Sequence, residues 1–232
     1  MFQDTATFPF RVNKDIKDRI GTDSLHRIGE HLWPVDCQSC GHPFGPEVPA
    51  LVVNDLTVMA AASLHHAGCR APSWNEGLLN VTRQDHLSYR TLAFMLPTEV
   101  DGRPDPLPTM LVNPSLEQVL LKPEASGWTV ATMGHYRDYC GLTGVSVPKP
   151  VPDAYAQLHP NGLLTVTLER TVQTWEFETT PDGLRESILA RRGVALGVTS
   201  AYIPGEHFVV VADFLTAMQS GQIALGWVTL RK

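Results

Sequence analysis

Two short segments of the sequence carry paired residues of the kind that bind metal ions. Cys37 and Cys40 form a C-x2-C pair followed by Gly41, and a second segment, LHHAGC, ends at Cys69. With His66 as the fourth residue, the whole pattern is C-x2-C-x25-H-x2-C. A tight turn directs both thiolates of a C-x2-C pair at one ion, and glycine after the second cysteine permits the positive φ that this turn often needs. Three thiolates and one imidazole suit tetrahedral Zn²⁺ and leave no open coordination position, so we predict a structural zinc site.

The sequence leaves alternatives to this ligand set open. His65 lies beside His66, and both separations from Cys69 are known for paired ligands. His42 could also supply the histidine ligand. The three cysteines could instead be small buried hydrophobic residues, or the C-x2-C pair could be redox-active. Redox use of the motif favours a βαβ setting, whereas here a loop rich in Pro and Gly follows it, so zinc is our prediction.

The residues between the two pairs predict a β-hairpin. Residues 50–60 read as two apolar strands around an Asn-Asp turn. Knuckle, hairpin and second ligand pair together resemble one half of a LIM domain, or more broadly a treble-clef zinc finger, over residues 37–69. The resemblance implies a structural zinc that organises a small domain, often with a surface that contacts protein or nucleic acid. Two features depart from the family pattern: there is one such unit rather than two, and an S-x-x-E capping box at Ser73 predicts a helix through Leu79 that begins later than in a treble clef.

A second resemblance points to a different chemistry. His65 or His66, then Asn75, then His86 loosely resemble the residues of HNH endonucleases, many of which also carry a C-x2-C zinc knuckle. The resemblance implies that one histidine activates water while a divalent ion stabilises the leaving phosphate oxygen. Against it, the second C-x2-C pair usual in zinc-bearing HNH proteins is missing, and Cys69 competes for the same short segment.

Composition and charge exclude several classes of protein and of binding partner. The chain has 232 residues, of which 43% are hydrophobic and 18% charged, which excludes wholesale disorder, collagen, coiled coils and disulfide scaffolds. Its net charge of −6 argues against strong non-specific nucleic-acid binding. No apolar stretch is long enough to span a bilayer, and no apolar h-region follows a basic start, so we expect a cytoplasmic protein with no membrane partner. We expect Cys140 to be a buried free thiol, because the sequence around it lacks a clear catalytic base.

The order of patterns along the chain predicts an α+β protein. Residues 13–33 have helical periodicity, with a break at Gly21. From Leu87 onward, segments rich in Val, Thr, Leu and aromatic residues alternate with Gly and Pro turns, which is typical of strands. One of these segments, residues 163–178, is too long for an ordinary strand and predicts a bend or bulge. We therefore predict a small helical and zinc-knuckle domain over 1–86, followed by a β-rich body.

The β-rich body shows a weak internal similarity. Five short matches recur in order at a separation of 80 or 81 residues, among them Val130-Ala131 with Val211-Ala212. They predict two duplicated halves, 87–148 and 149–232, joined by a proline-rich linker and with the matched pairs on equivalent buried strands.

Taken together, the residues favour a zinc-stabilised cytoplasmic binding or assembly module that recognises a protein or a small ligand. The alternatives are an HNH-like metal-dependent nuclease and an enzyme with its site at the junction of the two β-rich halves. The sequence contains no dinucleotide-binding, P-loop, nucleophile-elbow or H-E-x-x-H motif that would define another catalytic class.

Overall fold

The computed structural model describes residues 8–77, 88–125, 127–143, 149–180, 182–201, 203 and 211–231. Its helices are α1 (Lys14–Ile20), α2 (Thr22–Gly29), α3 (Thr132–Asp138), α4 (Leu184–Arg191) and α5 (Val211–Gln219). Its strands are β1 (Ala50–Asp55), β2 (Ala60–His65), β3 (Ser73–Glu76), β4 (Arg90–Leu96), β5 (Glu99–Val100), β6 (Arg103–Pro104), β7 (Leu107–Asn113), β8 (Gln118–Glu124), β9 (Gly127–Val130), β10 (Pro150–Leu158), β11 (Leu163–Leu168), β12 (Gln173–Glu178), β13 (Gly193–Thr199) and β14 (Ile223–Leu230). The predicted mixed α+β class is confirmed.

The chain divides into two compact units that are not continuous in sequence. Unit 1 comprises Met1–Ser88 and Ser115–Thr132, and unit 2 comprises Tyr89–Pro114 and Met133–Lys232. The chain therefore leaves unit 1, contributes a segment to unit 2, and returns before continuing. The stretch 87–148, expected as one half of the β-rich body, is shared between the two units.

Unit 1 begins with two short helices. Asn13 caps α1, because its side-chain oxygen accepts a hydrogen bond from the backbone N–H of Ile16 at 2.9 Å. Gly21 has a φ of +81° and separates α1 from α2, so the predicted break in the helical pattern lies where the sequence placed it. The apolar positions of this pattern, which are Ile16, Ile20, Ile28 and Leu32, are all buried.

A five-stranded sheet in the order β3-β1-β2-β8-β9 forms the rest of unit 1. β1 and β2 pair antiparallel, so the predicted hairpin is confirmed, although its turn spans residues 56–59 rather than the Asn-Asp pair. The turn lies further along because Asn54 and Asp55 extend β1, and the Asp55 side chain accepts a hydrogen bond from the N–H of Thr57 at 2.8 Å. β8 then pairs antiparallel with the other edge of β2.

Unit 2 contains a seven-stranded mixed sheet in the order β12-β11-β10-β14-β13-β7-β4. Neighbouring residues of β7 point to opposite faces, as the period of a strand requires, and each face has its own core. Met110 and Val112 join a cluster that includes residues of α3 and α4, whereas Leu111 joins a cluster with Phe214 of α5. The long segment 163–178 forms two strands, β11 and β12, that pair as a hairpin.

The expected duplication is not supported by this topology. Val130 is the last residue of β9 in unit 1, whereas Val211 is the first residue of α5 in unit 2, so the expectation of equivalent buried strands is wrong. The reason is that β8 and β9 pair with the hairpin of unit 1, where Val119 and Leu121 enter the core. In the predicted linker, residues 150–154 are part of β10, and residues 144–148 lie outside the described residues.

Close packing around Gly193 generates a test of the unit 2 core. A Cβ at this position would lie 2.6 Å from the backbone oxygen of Val228 and 2.7 Å from the ring of Trp227. Gly193→Ala should therefore destabilise unit 2 by about 1–3 kcal/mol, the usual cost of overpacking. Chemical denaturation monitored by circular dichroism would measure the change.

Gly134 in α3 provides the matched control. The atom nearest to a Cβ there is Asp138 Oδ2 at 3.9 Å, so Gly134→Ala should be neutral or stabilise the helix by up to about 1 kcal/mol. Equal destabilisation by both substitutions would contradict the packing described for β13 and β14.

Candidate metal centre

The first ligand pair lies in the loop between α2 and β1. The N–H of Gly41 donates to the carbonyl of Cys37 at 2.8 Å, and Gly41 has a φ of +70°. This is the left-handed conformation for which the sequence required a glycine. The resulting tight turn holds Cys37 and Cys40 on the same side of the loop, and both belong to one cluster of ligand atoms.

The second pair follows directly from the end of β2. The strand ends at His65, and His66 begins a turn in which the N–H groups of Cys69 and Arg70 donate to the His66 carbonyl at 2.9 and 3.0 Å. This turn brings Cys69 back beside His66. The β1–β2 hairpin therefore places His66 and Cys69 beside Cys37 and Cys40, although 25 residues separate the two ligand pairs in the sequence.

The ligand atoms of Cys37, Cys40, His66 and Cys69 all lie within 4.8 Å of one another. Around a tetrahedral zinc ion, two thiolate sulfurs are about 3.8 Å apart, and a sulfur and an imidazole nitrogen about 3.6 Å. The distance from Cys40 Sγ to His66 Nδ1 is 3.4 Å, close to the second value. The donor set fits a metal ion in both chemistry and spacing, and these four residues can hold one.

The orientation of His66 favours metal binding through Nδ1. Its Nε2 lies 3.3 Å from the carbonyl oxygen of Pro43, and its ring packs on Phe44 with centroids 4.9 Å apart. A proton on Nε2 that donates to Pro43 leaves the Nδ1 lone pair directed at the cysteines. Metal-binding histidines commonly use a backbone carbonyl in this way to fix the tautomer.

Backbone groups around the cluster favour the thiolate form of Cys37. Burial raises the pKa of this thiol, but N–H groups of His66, Ser39 and Cys40 outweigh it and lower the pKa. The N–H donors of His66 and Ser39 lie 3.2 and 3.4 Å from Cys37 Sγ. At Cys69, desolvation and the neighbouring sulfurs raise the pKa, although the residue is exposed. A cation among these sulfurs would offset the repulsion between thiolates, so metal binding should release protons.

The other two histidines considered for the ligand set lie outside the cluster. His65 is 4% exposed, and its Nδ1 and Nε2 lie 2.8 Å from Ser39 Oγ and 2.9 Å from Ser63 Oγ. Burial, with a smaller effect of the charge on Arg70, lowers the pKa of His65 to about 4. His42 is exposed and contributes its backbone carbonyl, which accepts from the N–H of Cys37 at 2.9 Å.

The residues of the HNH-like pattern do not form a site among the described residues. Asn75 is on β3, where its amide donates to Asn54 Oδ1 at 3.0 Å and so links two paired strands. Both ring nitrogens of His65 are hydrogen-bonded, as given above, which leaves neither for a water molecule. His86 lies outside the described residues.

The helix predicted from the capping box is wrong. Ser73–Glu76 is strand β3, which pairs in parallel with β1 over four residues from Val52 to Asp55. The core position of Trp74 explains the difference, because in the strand its ring packs against Trp128 with centroids 5.1 Å apart. A tertiary contact of this size outweighs a local capping preference. The described residues after the second ligand pair therefore depart from the treble clef.

One polar residue beside the cluster has no signal in the sequence. Glu117 lies 77 positions beyond Cys40 and is fully buried. Its Oε1 accepts from the N–H of Asp36 at 3.0 Å, and its Oε2 accepts from Nε2 of Gln38 at 3.1 Å. Burial raises the pKa of Glu117 to about 7, against the opposing effect of hydrogen bonds from the N–H of Asp36 and from Ser88. A lone glutamate in an ordinary strand pattern offers no spacing that could have identified it.

Cys140 belongs to unit 2 and is not one of the four cluster residues. It is a buried free cysteine, as the sequence predicts, and burial raises the pKa of its thiol to about 11. A thiol in this state is a poor nucleophile at neutral pH.

Comparisons with known proteins add no family to this description. No protein-family model, curated protein or solved structure matches the chain. No helix among the described residues is long and apolar enough to cross a membrane.

Metal content tests the cluster directly. Protein prepared without chelator should contain one metal ion per chain, and Cys37→Ser or Cys69→Ser should lose it because each removes one of four ligands. Elemental analysis of the purified chain is the measurement. Cys140→Ser is the control, since it removes a cysteine of unit 2 and should keep the metal. A metal-free wild-type chain would contradict the assignment, as would equal loss in the control.

Proposed function

We propose that this protein is a zinc-stabilised binding or assembly module of the cytoplasm, with Zn²⁺ held by Cys37, Cys40, His66 and Cys69. The observation that carries the proposal is the convergence of these four side chains from two separate loops. Three sulfur ligands select zinc over the hard cations that prefer oxygen. Four protein ligands fill a tetrahedral shell, so the metal supports structure and has no free position for a substrate.

A metal at this cluster would act as a cross-link within unit 1. It would join the loop after α2 to the turn after β2, two segments that also contact through hydrogen bonds such as that from the N–H of Ala67 to Glu47 Oε1 at 3.0 Å. Constraining two loops in this way lowers the entropy of the unfolded chain and adds the metal-binding free energy to folding.

The choice of partner class rests on charge and on the redox state of the cysteines. A net charge of −6 disfavours a phosphate backbone as partner and is compatible with a protein or an uncharged or cationic small ligand. The four cysteines are all free thiols in the structure, which suits the reducing cytoplasm in which zinc–thiolate sites persist.

Removal of the metal should loosen unit 1 selectively. Treatment with a strong chelator should increase amide hydrogen exchange in peptides that cover residues 35–70, because the two loops lose their common ion. Peptides from unit 2, such as those covering β13 and β14, should exchange as before and serve as the internal control. Mass spectrometry of the full chain gives both readings, and zinc added back should restore protection. Unchanged exchange after verified zinc loss would refute a stabilising role.

The nuclease alternative makes a different set of predictions. If zinc is structural, Mg²⁺ or Mn²⁺ should produce no cleavage of single- or double-stranded DNA or RNA. Asn75→Ala and His86→Ala should leave zinc content unchanged, because Cys37, Cys40, His66 and Cys69 already fill a tetrahedral shell. Cleavage by the wild-type chain that disappears in a folded His86→Ala variant would establish the nuclease instead.

A further inference from the structure

The first ligand pair is held on the sheet by buried side chains that are not ligands. Glu117 precedes β8, and its two carboxylate oxygens contact the residues on either side of Cys37. One oxygen accepts the backbone N–H of Asp36 at 3.0 Å, and the other accepts the side-chain amide of Gln38 at 3.1 Å. Cys37 is therefore flanked on both sides by groups bonded to one buried carboxylate.

His65 contacts the same loop from the end of β2. Its Nδ1 lies 2.8 Å from Ser39 Oγ, while its Nε2 lies 2.9 Å from Ser63 Oγ within the sheet. With a proton on Nε2, the His65 ring donates to Ser63 Oγ, and the Ser39 hydroxyl donates to His65 Nδ1. Both ring nitrogens of His65 then have a hydrogen-bond partner. Both non-ligand residues between the two cysteines, Gln38 and Ser39, are thus tied to buried polar groups.

Burial makes these bonds strong and their loss costly. Glu117 has no exposed surface and His65 is almost as buried, so water cannot replace either partner when it is removed. Groups in this position beside a metal site orient the ligands and typically change metal affinity 10–100-fold when mutated.

We propose that Glu117 is a positioning residue for the metal centre: its carboxyl group, by accepting from the backbone N–H of Asp36 and the side-chain amide of Gln38, holds the residues on both sides of Cys37 in the conformation that the metal requires. This inference rests on the proposed zinc site and assigns a role to a residue outside the ligand set. The carboxyl group acts through the loop, and its removal should lower metal affinity beyond what a loss of stability alone would cause.

The structure suggests two substitutions that separate these roles. Glu117→Leu fills a similar volume but removes both acceptors, so the N–H of Asp36 and the side-chain amide of Gln38 lose their buried partner and stability should also fall. Glu117→Gln keeps one acceptor for the N–H of Asp36. Oε1 of Gln38 is buried with no hydrogen-bond partner among the described residues, so a rotated Gln38 amide can accept from the new side-chain N–H. Glu117→Gln should therefore rescue what Glu117→Leu loses.

The experiment measures metal affinity and stability in the same full-length chains. Zn²⁺ affinity is obtained by competition with a chromogenic chelator, and Co²⁺ is used as a spectroscopic probe of the thiolate shell. Glu117→Leu should bind Zn²⁺ 10–100-fold more weakly than wild type and show altered Co²⁺ absorption bands, and its thermal midpoint without metal should be lower than that of wild type. Glu117→Gln should have near wild-type affinity and spectrum.

Leu121→Ala is the matched control. Leu121 is a buried core residue in the middle of β8 that pairs with Ala60 and Val130 and is not among the residues that contact the first ligand pair. Its truncation should lower the thermal midpoint of unit 1 and leave the Co²⁺ spectrum and the Zn²⁺ affinity of the folded chain unchanged. The loss of stability alone that is expected of Leu121→Ala is thereby distinguished from the loss of metal affinity that is expected of Glu117→Leu.

The outcomes distinguish this inference from the zinc site itself. A wild-type chain that binds neither Zn²⁺ nor Co²⁺ refutes the proposed function and this inference with it. A wild type that binds tightly, with Glu117→Leu equally tight, refutes the positioning role alone, as does an affinity loss that Leu121→Ala reproduces. If Glu117→Leu does not fold, Gln38→Ala removes one of the two contacts with Glu117 in place, and wild-type affinity in that variant overturns the proposal.

Discussion

The antiparallel pairing of β2 with β8 is the interaction on which unit 1 depends. β2 has β1 on one side and β8 on the other, and four residue pairs from Ala60 to Ser63 fix its register against β8. The N–H of Leu64 continues this ladder to the carbonyl of Glu117 at 3.0 Å. A slip of one residue would reverse the faces of the strand, turning His65 out of the core and displacing the Glu117 carboxylate from the loop it contacts. The register of β2 against β8 therefore also determines the geometry of the loop that carries the first two metal ligands.

The metal cluster concentrates negative charge, and neutral N–H groups donate hydrogen bonds to the negatively charged atoms. Three thiolates around one divalent ion would leave a net charge of −1, and the Glu117 carboxyl group accepts from the N–H of Asp36, the residue before Cys37. The backbone N–H groups of His66 and Ser39 point at Cys37 Sγ, the backbone N–H of Asp36 donates to Glu117 Oε1, and the side-chain amide of Gln38 donates to Glu117 Oε2. Neutral donors of this kind stabilise anions without adding a charged residue, in a loop whose conformation the same bonds define.

Local features of unit 1 could be predicted from the sequence because each has a short-range cause. The four cluster residues follow from ligand spacing, the break at Gly21 from helix periodicity, and the β1–β2 hairpin from alternating apolar runs. The failures share a long-range cause. Ser73–Glu76 reads locally as a helix start, yet pairing with β1 and the contact between Trp74 and Trp128 make it a strand.

The same limit explains the position of Glu117 and the false repeat. Nothing near Glu117 in sequence shows that its chain segment returns to the metal loop, since the contact spans 81 residues to Asp36. The short sequence matches between 87–148 and 149–232 contain no information about which sheet a segment joins. The segment of β8 and β9 joins the sheet of unit 1 because β8 pairs with β2. Identity of two residues carries little information when one copy ends a strand and the other begins a helix.

The interrupted course of unit 1 has a consequence for its synthesis. All four cluster residues have left the ribosome once Cys69 has emerged, but β8 and β9 follow only after residues 89–114, which belong to unit 2. At about 5–20 residues per second, several seconds separate the two events. During that interval the nascent hairpin has both halves of its metal loop and an unpaired β2 edge, the kind of edge that invites pairing with another chain. An ion captured early would hold the hairpin in register until its own partner strand is made.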